Sequence, residues 1–194
     1  MTDCFEALGV PHRPLLDDEE LKRRFLALTA EHHPDVAGTE SGEFAALNLA
    51  YQTLRDPCQR LRHLVELATG TPTPRHQAAP AVIGELFPEM GRHKQALDAF
   101  LKRWNAAPAG LGKALLMEEQ LQLQETLEAW LHRLQEERGK ALEALPALDH
   151  QWMTDPASRE ALLPKLSDMA QTLVYLDRWI GQLREGLLQL QIGL

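Results

Sequence analysis

Residues 21–57 read LKRRFLALTAEHHPDVAGTESGEFAALNLAYQTLRDP, and this stretch decides the fold. Leu21, Phe25 and Leu28 recur at steps of four and three, which puts apolar side chains on one face of a helix. The helix runs to His32, and Pro34 ends it because a proline disfavours helical geometry in the residue before it. Residues 36–42 form a polar loop. Phe44, Leu47, Ala50, Tyr51 and Leu54 then make a second stripe on a helix over 43–55. Two helices with facing stripes and a short connection form an antiparallel hairpin, so His33-Pro34-Asp35 falls in the open at its tip.

On the N-terminal side, Leu15-Leu16-Asp17-Asp18-Glu19-Glu20 supplies a capping Asp and acids that suit the positive start of a helix. A short helix before it covers Phe5 to Leu8 and stops at Gly9. On the C-terminal side, Asp56-Pro57 opens a fourth helix carrying Leu61, Leu64 and Leu67. Gly70-Thr71-Pro72-Thr73-Pro74 breaks the pattern, since two prolines and a glycine in five residues stop a helix. Beyond the break the spacing predicts three more helices. One runs from about Val82 or Pro88 to Trp104, and one begins near Lys113 and stops or kinks around Gly139 or Pro146. The last carries Leu166, Met169, Leu173, Leu176, Ile180, Leu183, Leu187 and Leu190 in alternating steps of three and four. That is a heptad seam, and three such helices close into a small antiparallel bundle. The reading is all-α: a helical hairpin unit over 1–70, a linker over 71–80 and a bundle over 81–194.

Composition narrows the function. The 194 residues carry a formal charge of −8, against the basic face that nucleic-acid binding needs. Cys4 and Cys58 stand far apart with no CxxC, which argues against a disulfide framework or a cysteine zinc site. No apolar run approaches the roughly 20 residues that cross a bilayer, and Asp3 and Glu6 stand where a signal peptide needs positive charge. A reduced, cytoplasmic protein without membrane or nucleic-acid partners is expected. No nucleophile constellation, phosphate loop or zinc helix appears, so neither an enzyme nor a cofactor is expected. His12, His63, His76, His93, His132 and His150 read as surface or partly buried residues.

His33-Pro34-Asp35 resembles the signature of the J-domain family, and the likeness extends along the chain. Cys4-Phe5-Glu6-Ala7-Leu8-Gly9-Val10 is similar to that family's opening segment. Leu21 to Asp35 is similar to its second helix and loop, and Asn48 to Pro57 to its third helix. The resemblance implies a co-chaperone that docks on a seventy-kilodalton heat-shock ATPase and accelerates its ATP hydrolysis without itself making bonds. In that role Asp35 supplies a carboxylate for a charge-assisted hydrogen bond, Pro34 holds the turn rigid, and His33 adds directional hydrogen bonds. Lys22, Arg23 and Arg24 fit the family's basic docking face, whereas Leu26, Ala27 and Glu31 stand where further basic residues are common.

An N-terminal J-domain followed by a helical bundle, with no Gly/Phe-rich linker, resembles the HscB family. Arg55 to Leu64 is similar to that family's end of the J-domain, with Leu61 in place of its usual alanine. Leu173-Val174-Tyr175-Leu176-Asp177-Arg178 is similar to a string in its last helix. This resemblance implies an iron–sulfur scaffold protein as client, bound on the first and third bundle helices; the alternatives are a different dedicated client, or a J-like interaction module without chaperone stimulation. Helix counting maps the surface to Leu86, Phe87, Met90 and Tyr175; string matching points instead to Leu116, Met117 and Leu121. The helix count is preferred, and Tyr175 with Trp179, off the seam, is expected to keep exposed surface.

Overall fold

The computed structural model describes residues 2–31, 41–72 and 79–192. Among them there is no strand, and the chain is all-α as its periodicity implies. The elements in order are α1 (Cys4–Ala7), α2 (Asp18–Glu31), α3 (Ser41–Arg55), α4 (Pro57–Thr69), α5 (Ala81–Ala106), α6 (Leu111–Ala114), α7 (Met117–Glu143), α8 (Leu145–Thr154), a 3₁₀ turn (Pro156–Ser158) and α9 (Arg159–Ile192).

Local chemistry fixes the boundaries. Asp3 caps α1 by accepting from the Phe5 and Glu6 N–H groups at 2.9 and 3.1 Å. Asp17 accepts from Glu20 N at 2.7 Å at the head of α2, followed by Asp18, Glu19 and Glu20 in the first turn. Asp56 caps α4 through Gln59 N at 2.9 Å, Pro57 takes the first turn, and Gly70 closes the helix at φ 68°, where other residues are strained. The stop expected around Gly139 or Pro146 falls between them at Glu143, and Pro146 takes the first turn of α8. Pro88 and Pro164 lie inside α5 and α9 rather than bounding them.

The chain divides into two compact units, one of residues 1–77 with 143–171 and the other of residues 78–142 with 172–194. This departs from a division in chain order. Residues 143–171, counted with the bundle from sequence, cluster with the N-terminal part. Asp149 and Trp152 of α8 bond the segment between α1 and α2, as described below, and Leu145, Leu162 and Leu166 of the same stretch are buried.

In the first unit α3 packs against α1, α2 and α4. Leu21, Leu47, Ala50 and Leu54 are buried as their stripes require, and Phe25 stacks on Tyr51 with ring centroids 4.3 Å apart. Phe44, assigned to the same stripe, is instead exposed. The second unit is a three-helix bundle of α5, α7 and the later part of α9. Its core holds Ile83, Leu86, Met90, Leu97, Phe100 and Trp104 from α5, Leu127, Trp130 and Leu134 from α7, and the seam from Leu176 to Leu190. Pairings give the directions. Arg103 meets Glu119 and Arg133 meets Glu89, while Gln120 Nε2 donates to Leu190 O, so α7 runs antiparallel to both partners. A Cβ on Gly186 would run into Leu97 Cδ2; the missing side chain is what lets α5 and α9 approach.

Candidate functional site

Three features converge on α2. The first is the segment over 10–16 that leads into it, which is clamped by buried polar groups. The guanidinium of Arg60, only 2% exposed, donates to Pro14 O at 2.8 Å and to Leu54 O at 2.7 Å. Asp149, 3% exposed, accepts from Leu15 N and Arg13 Nε, both at 3.0 Å, and from Arg13 Nη2. Trp152 Nε1 donates to His12 O at 2.8 Å. The hydrogen bond to Asp149 holds the Arg13 guanidinium above its ordinary pKa, more strongly than burial depresses it. Sequence reading missed Arg60, Asp149 and Trp152. Arg60 has a signal, being a lone base among apolar neighbours on α4, but Asp149 lies 134 residues from Leu15 and has none.

The second feature is the N-terminal helix. Cys4 N donates to His63 Nε2 at 3.0 Å in a buried setting, and the His63 ring stacks on Phe5 at 5.8 Å. The His12 ring lies 5.0 Å from that of Phe5, and His12 meets Asp3 Oδ2 at 2.6 Å. Burial lowers the His63 pKa, although Asp3 and Glu66 pull it up. Burial alone would raise the Asp3 carboxyl, but hydrogen bonds from His12 and from the Glu6 and Phe5 N–H groups leave it below its ordinary value. Burial also pushes the Cys4 thiol up, which leaves it a neutral core residue. His63 is thus a buried hydrogen-bond acceptor, not the surface or half-buried residue expected of it.

The third feature is the outer face of α2. Lys22, Arg23 and Arg24 are exposed there, as the sequence requires. Glu20 engages both guanidiniums, Arg24 Nε at 2.7 Å and Arg23 Nη2. Arg24 Nη1 also donates to Gly9 O at 2.5 Å, tying α2 to the turn after α1, where Gly9 sits at φ 60°. Of the three bases, only Lys22 has no partner among the described residues. His33, Pro34 and Asp35 lie outside the described residues.

The expected client surface is taken apart by packing. Leu86 and Met90 belong to the bundle core, Phe87 is 59% exposed, and Tyr175 is half-buried against the core. Trp179, expected to keep exposed surface, is buried. α9 packs on two helices at once, so its covered stripe is wider than the seam and reaches the neighbouring position. Trp179 lies 6.0 Å from both Phe87 and Tyr175, ring to ring, making one aromatic row whose outer end is Phe87. The alternative set is more open: Met117 is 46% and Leu121 59% exposed, while Leu116 is partly buried. Among the described residues no group of three His, Cys, Asp or Glu is placed to hold a metal, and no helix is long and apolar enough to cross a membrane.

The helical hairpin, its capped entry and its basic outer face are those of a DnaJ domain, and the DnaJ-domain family model matches residues 3–63. Residues 3–63 thus form a DnaJ domain within a longer helical chain. Its architecture as a whole is similar to a solved structure, chaperone HscB from Vibrio cholerae, with 19% sequence identity, a TM-score of 0.54, and 95% of this chain and 96% of that one covered. The likeness is one of fold.

Proposed function

We propose that this protein is a co-chaperone that stimulates ATP hydrolysis by a seventy-kilodalton heat-shock ATPase and delivers a client to it in the cytoplasm. The observation that carries this reading is the DnaJ-domain match over residues 3–63, which spans His33-Pro34-Asp35 and all of α2. The chemistry is differential binding. Docking groups that favour the hydrolysis-competent state of the ATPase shift its population toward that state, and no bond is made or broken by the J-domain. Lys22, Arg23 and Arg24 dock beside His33, Pro34 and Asp35, with Asp35 offering a carboxylate to an arginine of the partner. His33→Gln is expected to abolish stimulation in a single-turnover ATPase assay while leaving the circular dichroism unchanged. Full stimulation by the folded variant would end this reading.

The client is proposed to be an iron–sulfur scaffold protein, bound by residues 81–194. The fold likeness to chaperone HscB supports it. On the preferred mapping the contact is Phe87 and the edge of Tyr175, with Leu86 and Met90 beneath them. A second mapping through Leu116, Met117 and Leu121 is favoured by the exposure of Met117 and Leu121. Two paired variants separate the mappings in a scaffold-binding titration. Phe87→Ala with Tyr175→Ala weakens binding if the first holds, and Met117→Ala with Leu121→Ala if the second does. If neither pair changes the affinity, both surfaces are wrong.

A further inference from the structure

The outer face of α2 changes character along its length. The exposed positions of α2 are Asp18, Glu19, Lys22, Arg23, Arg24, Leu26, Ala27 and Ala30, on the side away from buried Leu21. The first turns are charged but internally compensated, since Glu20 engages both Arg23 and Arg24. Over the whole helix four acids stand against three bases, one net negative charge. The later turns are apolar: Leu26 is 54% exposed, with Ala27 and Ala30 open beside it. Leu26 follows Lys22 by one turn and precedes His33 by seven residues in sequence. An exposed leucine one turn from a lysine is unremarkable alone. Here it sits at the centre of a surface whose charges cancel, inside a protein of net charge −8.

We propose that α2 docks through an apolar strip centred on Leu26, and that the ATPase it activates offers an apolar, nearly uncharged surface there instead of an acidic one. This rests on the co-chaperone reading above and names the chemistry of its partner. The argument is complementarity. An acidic surface would find only Lys22 free, would compete with Glu20 for Arg23 and Arg24, and would face Glu19. A neutral apolar surface leaves those pairs intact and gains burial of Leu26. Leu26→Lys, which places a second base one turn from Lys22, should therefore weaken docking rather than strengthen it.

The test is single-turnover ATP hydrolysis by each seventy-kilodalton heat-shock ATPase of the source organism, titrated with full-length protein. Wild type is expected to stimulate one of them with half-effective concentration changing less than about threefold between roughly 0.05 and 0.3 M salt. Leu26→Ala should raise that concentration about tenfold, the loss of an interface anchor, and Leu26→Lys at least as much. Leu26 is half open to solvent, so neither variant should alter the circular dichroism. The proposal is overturned if Leu26→Ala is silent, if Leu26→Lys tightens docking, or if salt weakens wild type tenfold or more. Absence of stimulation by wild type on every ATPase would instead overturn the co-chaperone reading, and this inference with it.

Discussion

Both units of this protein have an apolar core, but they differ in what else is buried. The first adds to its core of Phe5, Leu21, Leu54, Leu61 and Leu166 a few buried polar groups with fixed directions: Arg60 on two carbonyls, Asp149 on Arg13 and the Leu15 N–H, and His63 on the Cys4 N–H. The second depends on an apolar core shared by three helices, and most of its ion pairs lie in water, as Lys94–Asp98 and Arg133–Glu89 do. Exposed pairs contribute little, because solvent and salt screen them. Buried polar groups differ in kind. Forming them adds modest net stability, but removing one partner leaves the other desolvated and unpaired. The contrast follows from what each unit holds in place. A bundle helix can be repacked by any apolar side chain of similar volume, whereas residues 10–16 have no regular structure, and their backbone groups must be bonded by side chains. The irregular segment therefore needs specific residues, and the helices need only a pattern.

Conservative substitutions would break that contrast if it is wrong. In the bundle, Leu134→Ala empties a site with no solvent exposure and should cost about 3–4 kcal/mol. Leu134→Met keeps the volume and should cost under about 1.5 kcal/mol. In the first unit, Asp149→Ala should cost about 2–3 kcal/mol, less than for a fully buried pair because Arg13 is about one-third exposed. Asp149→Asn, although the same shape, should recover little of this, since it removes the charge facing Arg13 and one of the accepting oxygens. Native-state hydrogen exchange resolves where each loss falls: amides of residues 4–16 for the Asp149 variants, and of 176–190 for Leu134→Ala. Full recovery by Asp149→Asn, or failure of Leu134→Met to recover, would dissolve the distinction.

The same contrast explains what could be read from the sequence. Helices α2 to α5, α7 and α9 were legible because each repeats its apolar positions over several turns, and the seam from Leu166 to Leu190 is buried almost as written. The break after Thr69 was legible because Gly70 and the prolines act locally. What α8 packs against was not, since Asp149 and Trp152 find partners more than a hundred residues away, and no periodicity carries that distance. Exposure within the expected client surface was illegible for a third reason. Leu86 and Met90 read equally well as patch or core, and only packing decides between them; Phe87, between them in sequence, faces out. Trp179 misled because a seam of two positions in seven understates how much of a helix two neighbours cover.

The smallest expected effect is also the one with a pH signature. His63 holds the Cys4 N–H only while Nε2 is unprotonated, and burial makes its folded-state pKa lower than the ordinary 6.5. As pH falls through 6.5 the unfolded chain takes up the proton first, so folding loses the contribution of neutral His63 progressively below that point. Asp3 and Glu66 oppose the shift, and His12 adds to it. Asp3 also engages His12, and its carboxyl, held below its ordinary value, stays charged throughout this range. Gln in place of His63 keeps an acceptor within reach of Cys4 N but does not titrate. His63→Gln should cost about 1 kcal/mol near neutral pH, from the lost stacking on Phe5, and then lose less stability than wild type on acidification. The measurement is Tm for both proteins at pH values from about 7.5 down to about 5, with His12→Gln as a control for the Asp3 pair. The wild-type and His63→Gln curves should converge as pH falls. Parallel curves would mean that the Cys4 N–H bond contributes nothing to stability, and that Phe5 and Leu8 hold α1 by burial alone.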